Sequence, residues 1–232
     1  MILGILQARM SSTRLPGKVL APVLGTPMIG RQIERLRRSR RLDQVVVATS
    51  EGHDDDALAD YCRSLDVPVV RGSLTDVLQR FCSALGQFPD AEVVVRLTAD
   101  CPLADWRVVD AVVDRHLETG ADYTDNLRPV RTFPHGLDVE AVSPAALLAA
   151  GREAVDPYEL EHVTPFVYRR PERFRLDSIA RTPSLAHLRW TVDLPEDLDF
   201  VRYVYSALYP ADPGFRTEQI AELPRNSSSA VV

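Results

Sequence analysis

Short apolar, β-branched runs alternate along this chain with segments of helical spacing, and that alternation constrains the fold more tightly than any other feature. A strand whose two faces are both covered reads as a continuous apolar run, and such runs separated by helices build a mostly parallel sheet. Strands are expected at Ile2–Leu6, Val45–Thr49, Val67–Val70 and Val93–Leu97. Helices are expected at Pro27–Arg38, Asp54–Leu65, Asp76–Leu85 and Trp106–Leu117. Beyond them the pattern is more mixed. Strands are expected at Leu137–Val142, Arg175–Ile179 and Leu188–Val192. Helical stretches are expected at Pro144–Ala150 and Tyr158–Tyr168, and a last helix from Pro195 to about Leu208. The fold class is therefore α/β, a mixed, mostly parallel sheet with helices on both faces. With 232 residues and neither repeat nor linker, residues 1–223 read as one domain and 224–232 as a flexible, serine-rich tail.

Charge and composition exclude several partners. A formal net charge of -6 is wrong for a surface that tracks a nucleic-acid backbone. No apolar run approaches the roughly 20 residues needed to span a bilayer. The start of the chain reads as a buried strand rather than a leader. Cys62, Cys82 and Cys101 are scattered without metal-ligand spacing, as expected of a reduced, cytoplasmic protein.

One bias is sharper. Of 27 basic residues, the only lysine is Lys18. Where every other cation is arginine, position 18 calls for a compact ammonium on a flexible stem. It closes the segment Gln7-Ala-Arg-Met-Ser-Ser-Thr-Arg-Leu-Pro-Gly-Lys18, which follows the first strand directly. Ligands of open α/β sheets sit beyond the carboxyl ends of strands. There Arg9, Arg14 and Lys18 supply charge, while Ala8, Ser11, Ser12 and Thr13 supply hydroxyls and backbone amides for a triphosphate. The loop is not a Walker A motif: Val19 follows Lys18, and Ser12 stands where that motif has its first glycine.

Read as Q-A-R-M-S-S-T-R-L-P-G-K-V-L, Gln7–Leu20 resembles the nucleotide-binding loop of the cytidylyltransferases that activate acidic sugars, the CMP-Kdo and CMP-sialate synthetases. The likeness is strongest to the spore-coat polysaccharide biosynthesis protein F branch. It continues in order through Gly72-Ser-Leu-Thr-Asp-Val-Leu-Gln-Arg80, Val95-Arg-Leu-Thr-Ala-Asp-Cys-Pro-Leu103, Gly136-Leu-Asp-Val-Glu140, Glu161-His-Val-Thr-Pro165 and Leu188–Leu198. The resemblance implies a Rossmann-like nucleotide-diphosphosugar transferase fold, CTP as nucleotide, Mg²⁺ as cofactor and a homodimer.

A triphosphate reaction needs a divalent cation, and hard oxygen ligands suit Mg²⁺. Asp100 and Asp193 each follow an expected strand, and they match the family's two metal-binding aspartates. Capping of the helix that starts at Pro195 is the plainer reading of Asp193. Arg71, Ser73, Asp76 and Arg96 are candidates for the base and ribose pocket, although Asp76 equally suits a helix N-terminus. Asp138 and Glu140, alternating on one expected strand, are candidates for the acceptor side, with His162 and Arg189, or for a third metal contact. Asp54-Asp-Asp56 looks like a DxD motif but does not follow a strand, so a capped, solvated helix start is expected.

The expected reaction is transfer of CMP from CTP to a small acidic acceptor with release of pyrophosphate, Arg9, Arg14 and Lys18 being the catalytic cations. The acceptor is an acidic sugar or a small carboxy-phosphonate. Arg128, Arg131, Arg169, Arg170 and Arg189 crowd the second half and favour the smaller, more highly charged of the two. A nucleotide-sugar glycosyltransferase and a non-catalytic nucleotide-binding paralogue are the alternatives from other classes.

Overall fold

The computed structural model describes residues 1–224, so the serine-rich tail expected at 224–232 lies, beyond Pro224, outside the described residues. The main sheet has seven strands: β1 (Ile2–Gln7), β4 (Gln44–Ser50), β5 (Val69–Gly72), β6 (Val93–Thr98), β7 (Tyr123–Asp125), β8 (Glu140–Val142) and β9 (Leu176–Ser178). A two-stranded hairpin, β2 (Pro22–Val23) with β3 (Thr26–Pro27), stands apart from it. The strand order is β5-β4-β1-β6-β8-β7-β9. The first four of these run parallel; β8 joins antiparallel to both β6 and β7, and β7 pairs parallel with β9.

The helices are α1 (Met28–Leu36), α2 (Asp56–Ser64), α3 (Val77–Gln87), α4 (Trp106–Thr119), α5 (Pro144–Glu153), α6 (Pro157–His162), α7 (Pro165–Tyr168), α8 (Pro195–Leu208) and α9 (Thr217–Ala221). Alternation along the strands divides the core in two. Ile2, Leu6, Val45, Val47, Val93, Val95 and Leu97 pack on the face covered by α1, α2, α4 and α8. Leu3, Ile5, Val46, Ala48 and Val94 pack on the face covered by α3, α5 and α7. Both faces are covered by apolar side chains, which is why these strands read as unbroken apolar runs.

Two expectations about strands are corrected. Leu137–Val142 yields a strand only at Glu140–Val142. Buried Asn126 takes the place of a neighbouring strand for the rest, donating to the Leu137 carbonyl at 2.7 Å and accepting from the Val139 amide at 2.9 Å. Leu188–Val192 is extended but joins no sheet and makes only an isolated bridge between Arg189 and His135. Its strand-like alternation comes from Leu188, Trp190 and Val192 being buried in turn. Gly136, at φ 101°, lets the chain pass there, because a Cβ would lie 2.8 Å from the Thr191 nitrogen. The single helix expected over Tyr158–Tyr168 is two helices, α6 and α7, broken at Val163.

Candidate active site

At the carboxyl ends of β1 and β6 lies a cavity of about 390 Å³. Gln7, Ala8, Arg9, Ser12, Thr13, Arg14, Lys18 and Val19 line it from the first loop, and Arg96, Thr98, Ala99 and Asp100 from β6 and the turn after it. Val77 and Arg80 of α3, Glu161 and His162 of α6, and Asp193 complete the wall.

The loop is folded onto the sheet by two devices. Gly17, at φ 73°, opens a single 3₁₀ turn at Lys18–Leu20, and its amide donates to the Met10 carbonyl at 2.9 Å. Asp55, 1% exposed, accepts from the Met10 amide at 2.7 Å and from the Ser50 amide at 3.0 Å. Burial raises the Asp55 carboxyl, but its hydrogen bonds from Ser50 and Met10 outweigh that and hold it below the usual range. The middle residue of Asp54-Asp-Asp56 is thus a buried clamp on the loop rather than part of a solvated helix start.

Lys18 and Asp193 meet across the cavity. The Lys18 ammonium, its side chain 11% exposed, donates to the Val192 carbonyl at 2.5 Å and to Asp193 Oδ1 at 3.2 Å. Arg14 reaches the same oxygen at 3.0 Å, and Arg189 takes Oδ2 at 2.8 Å. Burial pushes the Asp193 carboxyl up, but Lys18, Arg14 and Arg189 overcome it and hold the group below the usual carboxylate range. Asp193 does not come from a sheet strand. The Val192 amide donates to the Asp100 carbonyl at 2.8 Å, and this bond ties the two aspartates to one edge of the cavity. Among the described residues the Asp100 carboxylate enters no ion pair. The capping group of α8 is Asp197, whose Oδ2 accepts from the Asp193 and Leu194 amides, so Asp193 keeps its carboxylate for the cations.

The opposite wall is built on a buried polar row. Arg96 is paired across β6 and β8 with Glu140, which is paired across β8 and β7 with Asp125. Arg96 donates to the Glu140 carboxylate and, at 3.1 Å, to Gln7 Oε1. Glu140 also accepts from Tyr123 at 2.7 Å and from Thr164 at 2.5 Å. Burial raises the Glu140 carboxyl, but Arg96 first, then Thr164 and Tyr123, bring it below the usual range. Thr164 and His162 flank a γ-turn: Val163, fully buried, has φ 72° and ψ -59°, and the Thr164 amide donates to the His162 carbonyl at 2.8 Å. That conformation is strained for a β-branched residue. It turns Thr164 onto Glu140 and leaves His162 on the cavity wall.

Of the residues singled out in the sequence, the cavity brings together Ala8, Arg9, Ser12, Thr13, Arg14, Lys18, Arg96, Asp100, His162 and Asp193. Ser11 is exposed beside it. Arg71 is turned away onto Asp56 (2.6 Å) and the Ser50 and Gly52 carbonyls. Asp76 caps α3 by accepting from the Gln79 amide at 2.8 Å, and Ser73 accepts from the Asp76 amide at 3.1 Å. Asp138 is held by Arg131 in a two-point contact at 2.6 and 3.0 Å, Glu140 lies behind Arg96, and Arg189 stands behind Asp193. The arginines thought to crowd the acceptor are each paired: Arg128 with Asp125, Arg131 with Asp138, Arg169 with Asp156, Arg170 with Glu159, and Arg189 with Asp193 and Asp197. None of the five lines the cavity.

Sequence reasoning gave no role to Arg80 or Glu161. Arg80 falls three residues after Val77, on the apolar stripe of α3, and a charged residue at an apolar position was the available signal.

A family model described as cytidylyltransferase matches residues 3–210. The chain belongs to the cytidylyltransferase family. It is therefore a nucleotidyltransferase. The spore coat polysaccharide biosynthesis protein SpsF of Bacillus subtilis is 33% identical over 239 residues, covering 99% of this chain and 96% of the relative. A cytidylyltransferase from Leptospira borgpetersenii serovar Hardjo-bovis superposes with TM-score 0.89 at 32% identity, over 95% of this chain and 92% of that one. CMP:2-keto-3-deoxy-manno-octonic acid synthetase, solved in complex with CTP, shares the fold with TM-score 0.66 at 17% identity, over 89% of this chain and 98% of that one. The Rossmann-like α/β architecture expected from the sequence is that of these nucleotidyltransferases. Among the described residues no helix is long and apolar enough to cross a membrane.

Proposed function

We propose that this cytidylyltransferase family member transfers CMP from CTP to a small acidic acceptor, a carboxy-phosphonate or an acidic sugar, and releases pyrophosphate in the cytoplasm. The observation that carries the reading is that the chain's only lysine, at the end of a basic, hydroxyl-rich loop, meets Asp193 in a cavity that Asp100 also lines.

In this reading the triphosphate lies along Ser12, Thr13, Arg14 and Lys18. Its oxygens compete with Asp193 for the Lys18 and Arg14 cations, and their transfer to phosphate frees Asp193 Oδ1. Asp100 and Asp193 are the residues that would hold Mg²⁺. Among the described residues no group of three or more His, Cys, Asp or Glu side chains is arranged for a metal. Two carboxylates completed by phosphate oxygens and water are what Mg²⁺ commonly accepts. When bound, the ion neutralises charge on the phosphoryl group and on the departing pyrophosphate.

An acceptor oxygen forms its bond to the α-phosphorus as the bond to the β-phosphate oxygen breaks, and that electron pair leaves with pyrophosphate. Lys18, Arg14 and Arg9 hold the charge that grows there, and such preorganised charge is the largest contribution open to the site. His162, Glu161 and Arg96 face the acceptor side. Burial lowers the His162 pKa, with Glu161 opposing and Arg96 adding to the effect, a shift that favours the neutral imidazole that could take a hydroxyl proton. A phosphonate oxygen, already anionic, needs no base. A homodimer is the proposed assembly, and sedimentation of a clean monomer at micromolar concentration would remove it.

The test is a pyrophosphate-release screen of four nucleoside triphosphates against acidic sugars and carboxy-phosphonates. Release that requires CTP and one acidic acceptor is expected. CTP-independent release, or transfer from a nucleotide sugar, would sink the reading.

A further inference from the structure

Arg80 is 2% exposed and lines the cavity from α3, yet its Nε and Nη1 have no hydrogen-bond partner among the described residues, and it enters no ion pair there. Buried guanidinium groups are normally paired, because an uncompensated buried charge is strongly destabilising. Asp55 and Asp76 favour the charge from a distance, and Arg9 opposes it. Burial lowers its pKa, yet an arginine side chain stays protonated in proteins. Arg80 is thus a fixed set of donors waiting for an acceptor that the described residues do not provide.

The cavity narrows the choice of acceptor. Lys18 and Arg14 stand with Asp193 at the loop, which serves the triphosphate. Val77 belongs to the core on the α3 face of the sheet, and Arg80 enters the cavity from the same helix. Val77 and Ala8 are small apolar neighbours suited to a flat ring. Resting on the CTP reading given above, we propose that Arg80 reads the base, one N–H edge of its guanidinium donating to O2 and N3 of cytosine. Cytosine presents two acceptors at these positions. Uracil keeps O2 but carries a hydrogen on N3, so one donor of Arg80 would face another donor. A donor-only side chain therefore selects CTP over UTP, and a site built to hydrogen-bond one partner rejects the analogue that leaves its buried group unpaired.

The experiment is calorimetric titration of CTP and UTP in magnesium buffer, together with thermal unfolding without nucleotide, for the wild type, Arg80→Met and Arg80→Lys. The wild type is expected to favour CTP by about 10- to 100-fold, the range of charge-assisted hydrogen bonds. Arg80→Met should bring the two affinities to within about threefold, mainly by weakening CTP. Its melting temperature should hold or rise, because a buried unpaired charge has been replaced by an apolar chain of similar length. Should Arg80→Met fail to fold, Arg80→Lys decides: one point donor cannot span O2 and N3, so the preference should fall there too. A wild type without CTP preference overturns the functional reading and this assignment together. A wild type that prefers CTP and variants that keep its ratio overturn the assignment alone.

Discussion

The two walls of the cavity handle charge in opposite ways. On the loop wall Lys18, Arg14 and Arg189 gather around one carboxylate, Asp193, whose side chain is 20% exposed. On the sheet wall Arg96 is matched to Glu140, which is held in turn by Tyr123 and Thr164, all of them largely or wholly buried. The first arrangement has an excess of cations that an incoming polyanion can draw away. The second is closed, and its partners have nowhere to go. The loop wall should therefore carry the chemistry, and the sheet wall the shape of the site.

The largest expected effect lies on the loop wall. Asp100→Asn and Asp193→Asn should each abolish turnover with Mg²⁺ in the pyrophosphate-release assay while the circular dichroism spectrum stays that of the folded protein. A near-wild-type rate for Asp193→Asn would move the metal site away from this residue and reduce Asp193 to an anchor for Lys18.

On the sheet wall the sharper response should be in stability. Glu140→Gln leaves the Arg96 charge buried with only Gln7 and should cost about 3–5 kcal/mol in denaturant unfolding. The wall also predicts an acid response. The Glu140 carboxyl lies below its ordinary value of 4.5 when folded, so its stabilisation is complete above that pH and fades as the pH falls through the lower folded value. The wild type should lose this part of its stability below about pH 4.5, and Glu140→Gln should lack that component. Equal acid sensitivity in both proteins would mean that Glu140 is not the group that matters there.

The same division governs what could be read from the sequence. The parallel half of the sheet announces itself, since Val45–Thr49 and Val93–Leu97 are covered on both faces and each is followed by a helix. The loop from Arg9 to Lys18 is legible because its cations follow a strand end and the lysine has no other of its kind in the chain. The antiparallel extension is not. Strand β7 is three residues long and polar, and β8 carries Glu140, whose burial makes sense only once Arg96 is across from it. Leu188–Val192 mimics a strand because alternate side chains are buried, although its hydrogen bonds go to His135 and Asp100. Arg71, Ser73 and Asp76 have the residue types of a nucleotide pocket, but local carbonyls, Asp56 and the start of α3 claim them. Side chains that satisfy their own backbone look the same in sequence as those that serve a ligand. Arg80, which satisfies nothing nearby, was hidden by its place on an apolar stripe.

Whether the loop wall acts on the reaction or merely holds the fold comes down to Lys18. Its ammonium lies between the Val192 carbonyl and Asp193, where a wider, planar guanidinium could not follow a moving phosphoryl oxygen. The deciding measurement is kcat and KM for CTP of Lys18→Arg, with the acceptor found in the screen and the melting temperature recorded alongside. Loss of one charge-directed donor in such a site costs about 10²–10³ in kcat, or roughly 2.7–4 kcal/mol, and Lys18→Arg should lose most of that while melting like the wild type. A Lys18→Arg enzyme with unchanged kcat and KM would contradict the account, and the single lysine would then have no part in the chemistry.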